Sequence, residues 1–217
     1  MNELEPLKDN LISKAFDFLG KITNKPLTEL GELFADKVKY FRFKNQINTL
    51  IKAKKFLKEK NIEPKKIPFK LLFSLLEYSS WEEDQSMQTK WASLLANYAT
   101  IESSNNVNAC YVEILNQITP IEVKILDILY NAYYDKDPNL KNPTVFSKDK
   151  IFSFIGLNID KDKQLVIIDN LFRLNLLQPT ASHNSVLLGK FPVALRTYDA
   201  IEFTPLGIDF VKLCRFK

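Results

Sequence analysis

Apolar residues return every third or fourth position through the first hundred residues, and that period most limits what the chain can fold into. Leu7, Leu11, Ile12, Ala15, Leu19 and Ile22 fall on one helical stripe, interrupted near Gly20. Phe43, Ile47, Leu50 and Leu57 form a second stripe, crossed by Lys54, in a helix expected to begin at Pro26 and run past Gly31 to about Lys60. Asn61 to Pro64 should end it, and a short helix is expected from Pro68 to Tyr78. Trp91, Leu94, Leu95 and Tyr98 stand at core spacing in a further helix, which the capping-box pattern Ser80-Trp81-Glu82-Glu83 is expected to open. Five glycines against ten prolines disfavour a sheet-rich fold built on tight glycine turns. With 46% hydrophobic and 12% aromatic residues the chain can bury a sizeable core, so wholesale disorder is excluded.

Charge is distributed unevenly along this helical half. Between Lys37 and Lys70 twelve basic residues meet only Glu59 and Glu63, a net charge of +10, in a chain whose total is +4. From Leu71 to Cys110 the balance reverses to −4, and from Tyr111 onward the charges nearly cancel. On the long helix Lys37, Lys44, Lys52 and Lys55 cluster away from the apolar stripe at 100° per residue. Tyr40, Phe41 and Phe43 interleave with Lys39, Arg42 and Lys44, a pattern that suits base stacking beside phosphate contacts. The candidate anion-binding residues are therefore Lys37, Lys39, Arg42, Lys44, Lys52, Lys55 and Lys58. The same pattern suits an anionic membrane surface, with cations at the headgroups and aromatics in the interface. The bland alternative is a solvated face partly neutralised by the acidic stretch after Ser80.

A second unit begins near Thr119. Thr119-Pro120-Ile121-Glu122 is a capping box with proline at the first helical position, and Ile121, Ile125, Ile128 and Leu129 follow on one face. Asp135 to Pro143 is expected to be a loop, Ser147 to cap a short helix ending at Gly156, and Asp162 to Leu174 to form another helix. Leu176 to Pro179 should pair with Tyr198 to Phe203, and Thr204-Pro205 should open a last helix through Leu213. Three helices, a β-hairpin and a closing helix resemble a winged helix. The expected fold is thus mainly α: an N-terminal helical domain over residues 1–107 and a winged-helix-like domain with a small β-hairpin over residues 108–217. Its third helix carries no net charge, which makes it a poor groove reader; Leu165, Val166, Ile167, Ile168, Leu171, Phe172 and Leu174 suit packing within a core or against a protein partner.

Catalytic signatures are sparse. The only histidine, His183, stands in a loop containing serine and asparagine, so nucleophilic catalysis would rest on one poorly placed base, and neither a phosphate loop nor a dinucleotide fingerprint is present. Glu82, Glu83 and Asp84 are explained by a helix N-terminus rather than a metal site, and Cys214 by packing. Cys110 and Cys214 suggest neither a disulfide framework nor a zinc site. No run approaches the ~18 apolar residues of a membrane span, and the acidic start Met1-Asn2-Glu3-Leu4-Glu5 is unlike a secretory leader. A cytoplasmic, non-enzymatic protein without cofactor or metal is expected; a homo-oligomer remains open.

The stretch from Leu30-Gly31-Glu32-Leu33-Phe34 through Lys37-Val38-Lys39-Tyr40-Phe41-Arg42-Phe43-Lys44-Asn45 resembles the Abi-alpha family of bacterial proteins associated with abortive infection, a form of antiphage defence. The likeness continues through Ala53-Lys54-Lys55, Ile62-Glu63-Pro64, Glu82-Glu83-Asp84, Trp91-Ala92-Ser93-Leu94-Leu95-Ala96-Asn97 and Tyr111-Val112-Glu113-Ile114-Leu115 to Thr119-Pro120, covering about residues 27 to 214. It implies a role in phage defence and supplies no catalytic residue. Asp36, Arg42, Asn45, Trp91 and Asn97 match the family pattern and are expected to be polar partners within a helical core.

Overall fold

A computed structural model describes residues 5–22, 40–100, 109–133, 146–147, 151–152, 159–180, 185–188, 191–194 and 200–216. The chain divides into two compact units, Met1–Gln117 with Leu213–Lys217 and Ile118–Lys212. The described residues are mainly helical, with a small antiparallel hairpin near the C-terminus.

The first unit holds helices α1 (Glu5–Ile22), α2 (Tyr40–Glu59), α3 (Phe69–Ser79), α4 (Gln85–Tyr98) and α5 (Cys110–Gln117). The expected apolar stripes form its core: Ala15, Leu19 and Ile22 of α1, Leu50 and Leu57 of α2, and Trp91, Leu94, Leu95 and Tyr98 of α4 are almost wholly buried. The expected stretch of the long helix before Tyr40 lies outside the described residues. That helix stops at Asn61, which takes the left-handed conformation (φ 54°) while the Ile62 N–H reaches the Leu57 carbonyl at 2.9 Å and the Asn61 N–H reaches Lys58 at 3.0 Å. This is a Schellman end with asparagine in the place glycine usually takes. Asn97 Nδ2 donates to the Leu213 carbonyl at 2.8 Å and Phe56 stacks on Phe216 with ring centroids 5.8 Å apart, so the C-terminal residues pack within the first unit.

One expected start is displaced. Helix α4 opens at Gln85, capped by Asp84, whose carboxylate accepts the N–H groups of Ser86 (2.8 Å) and Met87 (3.0 Å). Ser80 instead follows α3, its hydroxyl donating to the Glu77 carbonyl at 2.6 Å. Glu82 and Glu83 therefore precede the helix rather than occupying its first turn.

The second unit opens as its sequence pattern requires. Thr119 Oγ1 and N–H both donate to the Glu122 carboxylate (2.7 and 2.6 Å), and the Glu122 N–H returns to Thr119 Oγ1, completing the capping box of α6 (Pro120–Tyr133). Glu122 is buried and also accepts from Asn170 Nδ2 at 2.7 Å, which ties α6 to α7 (Lys161–Arg173). Strands β1 (Phe146–Ser147), β2 (Leu177–Pro179) and β5 (Ala200–Phe203) form an antiparallel sheet in the order β1-β5-β2, with Leu177 opposite Phe203 and Pro179 opposite Ile201. The expected pairing of the two segments is thus present. Ser147 lies in β1 opposite Ala200; of the short helix expected after it, Ile151 and Phe152 are helical, and residues 148–150 and 153–158 lie outside the described residues. Strands β3 (Ser185–Leu188) and β4 (Phe191–Ala194) make the separate hairpin. Tyr130 meets Phe203 edge-on at 6.4 Å, seating α6 on β5.

Helix α8 (Pro205–Leu213) starts at Thr204, whose hydroxyl accepts the Gly207 N–H at 2.9 Å. Gly207 is required by proximity: a Cβ there would overlap the Leu176 carbonyl.

Candidate nucleic-acid interface

Helix α2 carries the basic face. Its buried edge runs through Asn45, Gln46, Thr49, Leu50, Ala53 and Leu57, and residues about 180° away meet solvent. Lys44, Lys55 and Lys58 are exposed on that outer face, and Lys52 is half-buried at its margin. Neither Lys44, Lys52 nor Lys58 forms an ion pair among the described residues. Lys55 pairs with Glu59 one turn on at 3.7 Å, an exposed contact of the kind that contributes only a few tenths of a kcal/mol. Lys52 Nζ lies 3.4 Å from Gln85 Oε1, and burial lowers its pKa from the usual lysine value. Lys37 and Lys39 lie outside the described residues, as do the side chains of Tyr40 and Phe41; Phe43 is half-buried.

Arg42 turns the other way. Its guanidinium pairs with Glu77, donates through Nε to Ser80 Oγ at 3.0 Å, and stacks 4.1 Å from the centroid of the Trp81 ring. One residue of the expected anion-binding set is thereby engaged in joining α2 to the end of α3. Asn45 does the same from inside: its Nδ2 donates to the carbonyls of Ser80 (3.0 Å) and Glu82 (2.9 Å), and its Oδ1 accepts from Gln88 Nε2 at 3.1 Å. These contacts bring the acidic turn Glu82–Asp84 alongside the basic helix and make Arg42 and Asn45 joining residues. Asn97 joins α4 to Leu213, whereas Trp91 is buried as an apolar core residue, its indole N–H without a hydrogen-bond partner. Asp36 lies outside the described residues.

Sequence patterning did not single out Trp81, which is 60% exposed beside Arg42. A tryptophan inside a polar run between two helices was the available signal. In the second unit Leu165 and Val166 of α7 face solvent while Ile168 and Leu171 are buried, so that helix splits its apolar residues between core and surface. His183 lies outside the described residues. Cys214 is buried, and burial raises the Cys110 thiol above its ordinary pKa. Among the described residues no group of His, Cys, Asp and Glu is placed to hold a metal, and no helix is long and apolar enough to cross a membrane.

Helices joined by buried amides, with an outward lysine face on the second, define a mainly helical protein. The family described as abortive infection alpha matches residues 36–214, most of the chain, and the protein belongs to that family. Its role is accordingly in abortive infection, a defence against phage. No curated protein and no solved structure matches the chain.

Proposed function

We propose that the protein is a non-enzymatic abortive-infection factor, acting in the cytoplasm, whose basic helix binds nucleic acid. The observation that carries this reading is the outer face of α2, where Lys44, Lys52 and Lys58 have no carboxylate partner among the described residues and Lys55 has only its helical neighbour Glu59. Ammonium groups of this kind are free to displace counterions from phosphates, the term that dominates non-specific nucleic-acid affinity. The second unit is read as a winged-helix-like interaction module: α7 together with its N-cap Asp160 has no net charge and presents Val166 to solvent, which fits a protein contact better than a groove.

A second reading places the same lysines on an anionic membrane surface, favoured by the exposed aromatic side chains of Trp81 and Phe73. A salt titration separates the two. Binding to single- and double-stranded oligonucleotides should weaken as salt rises, with a log–log slope of about −0.7 to −0.9 per phosphate contacted, and binding to anionic liposomes should be absent. Replacing Lys44, Lys52 and Lys55 together with Gln should reduce that slope by about 2–3 while leaving the circular dichroism spectrum unchanged. An unchanged slope in the folded triple variant refutes the assignment of the face, and liposome binding without oligonucleotide binding transfers it to the membrane.

A further inference from the structure

The lysine strip of α2 continues past Lys55. At about 100° per residue Lys58 stands about 60° from Lys55 and about 40° from Lys54 around the helix, so it joins the outer strip to the side that faces α1. On that side Lys54 Nζ donates to the Lys14 carbonyl at 3.1 Å. Farther along, a cleft of about 300 Å³ lies between Phe18 and Lys21 of α1, Leu57 and Lys58 of α2, and the segment Asn61–Pro64. Lys21 is answered by Glu63 at 3.6 Å, and Lys21 and Lys58 both stand in last turns, where a helix end carries about half a negative charge. Lys21, Lys54 and Lys58 against one carboxylate and two such ends leave about one positive charge. Phe18 and Leu57, both buried, make an apolar floor, and Ile62, 37% exposed, stands at the rim. Asn61 also lines the cleft and brings an amide that both donates and accepts.

We propose that this cleft receives one unpaired base of a single-stranded nucleic acid whose backbone follows the strip of Lys44, Lys52, Lys55 and Lys58. One phosphodiester sits between Lys54 and Lys58, which are one helical turn apart, and its base lies against Leu57, Ile62 and Pro64. The proposal rests on the nucleic-acid reading of the lysine face and adds to it the class of strand. Each nucleotide of a strand brings a single negative charge and a base with an apolar face, and the cleft offers about one positive charge beside an apolar floor. Its volume lies at the lower end of the range for small-molecule pockets, room for one base-sized group. A base within a duplex is stacked and paired, so it enters such a cleft only at the cost of unpairing, which a single strand does not meet. The Asn61 amide satisfies donors and acceptors alike, so the cleft takes any base.

Fluorescence anisotropy of the full chain with three labelled probes tests the assignment: a short oligothymidylate, a strand of equal length and charge that lacks bases, and a duplex of equal length. The oligothymidylate should bind severalfold tighter than the abasic strand. Ile62→Ser, at the exposed rim, should weaken the oligothymidylate severalfold and leave the abasic strand and the duplex unchanged. Lys54→Gln should lower the log–log salt slope by about 0.7 for the oligothymidylate and leave the duplex slope as it was. Glu63→Gln should tighten the oligothymidylate severalfold by removing the competing carboxylate, a gain that loss of structure would not produce. Equal binding of the two single strands, equal losses for the duplex, or indifference of the oligothymidylate to both Ile62→Ser and Glu63→Gln overturns the proposal and leaves the lysine face standing. Failure of every probe to bind removes the reading of the lysine face and this proposal with it.

Discussion

Replacing Gly207 with Ala sets two opposed effects against each other on one helix. Alanine is the better helix former by about 1 kcal/mol, so on propensity alone Gly207→Ala should stabilise α8. The added methyl, however, would stand 2.8 Å from the Leu176 carbonyl carbon and 3.0 Å from its Cα, with the carbonyl oxygen nearer still. Carbon atoms pack at about 3.5–4.0 Å, so helix and strand must part by close to an ångström. Leu176 cannot yield cheaply: it is fully buried, its N–H is bonded to the Leu171 carbonyl at 3.0 Å, and its carbonyl accepts the Thr204 N–H at 3.1 Å. Moving α8 instead stretches that last bond and the Gly207 N–H···Oγ1 bond to Thr204, of 2.9 Å. Overpacking of a core contact costs about 1–3 kcal/mol and a weakened hydrogen bond about 1 kcal/mol more. Set against the propensity gain, the net expectation is a loss of about 2 kcal/mol, or roughly 4–8 °C in Tm for a chain of this size. Urea unfolding followed by far-ultraviolet circular dichroism measures it. An unchanged or raised midpoint would show that propensity outweighs the contact and would refute the close approach as the reason for glycine.

Two further expectations concern α2 and α4. Asp84→Ala removes the acceptor for Ser86 and Met87 and should cost about 1 kcal/mol at neutral pH. The donors from Ser86 and Met87 hold the Asp84 carboxyl below its usual pKa, so its contribution is complete above the ordinary aspartate value of about 3.9 and fades as pH falls through the lower folded value. The difference between wild type and Asp84→Ala should therefore shrink below about pH 4 in parallel urea titrations, and a difference that persists at low pH argues against the charged cap. Thr49→Val should stabilise the protein by about 1 kcal/mol, because the Thr49 hydroxyl is fully buried without a hydrogen-bond partner and valine has nearly its shape. A lower unfolding midpoint for this variant means that the hydroxyl is bonded.

Local chemistry made a good part of the helical architecture legible. Thr119 and Glu122 form their capping box because both partners lie within one turn, and the stop at Asn61 needs only a residue that tolerates a left-handed conformation. Apolar spacing likewise located the buried stripes of α1, α2 and α4, since a helix must hide one face whatever its neighbour. The β2–β5 pairing also followed from two short extended segments flanking a long excursion.

What sequence left undetermined were choices between equally good local options. The sequence pattern points to Ser80 as the helix N-cap, but Arg42 and Asn45 engage the chain around Ser80, and the cap falls to Asp84. Twelve bases in one stretch promise positive potential, yet only packing decided that Arg42 would meet Glu77 and Trp81 while Lys44 stayed in water. The meeting of Lys21, Lys54 and Lys58 around one cleft is equally invisible in one dimension. Periodicity and capping are short-range and act within a few residues, so the chain alone determined which stretches are helical and most of their ends, though not the start of α4. Ion pairs, stacking and clefts join residues dozens of positions apart, and those required the folded molecule.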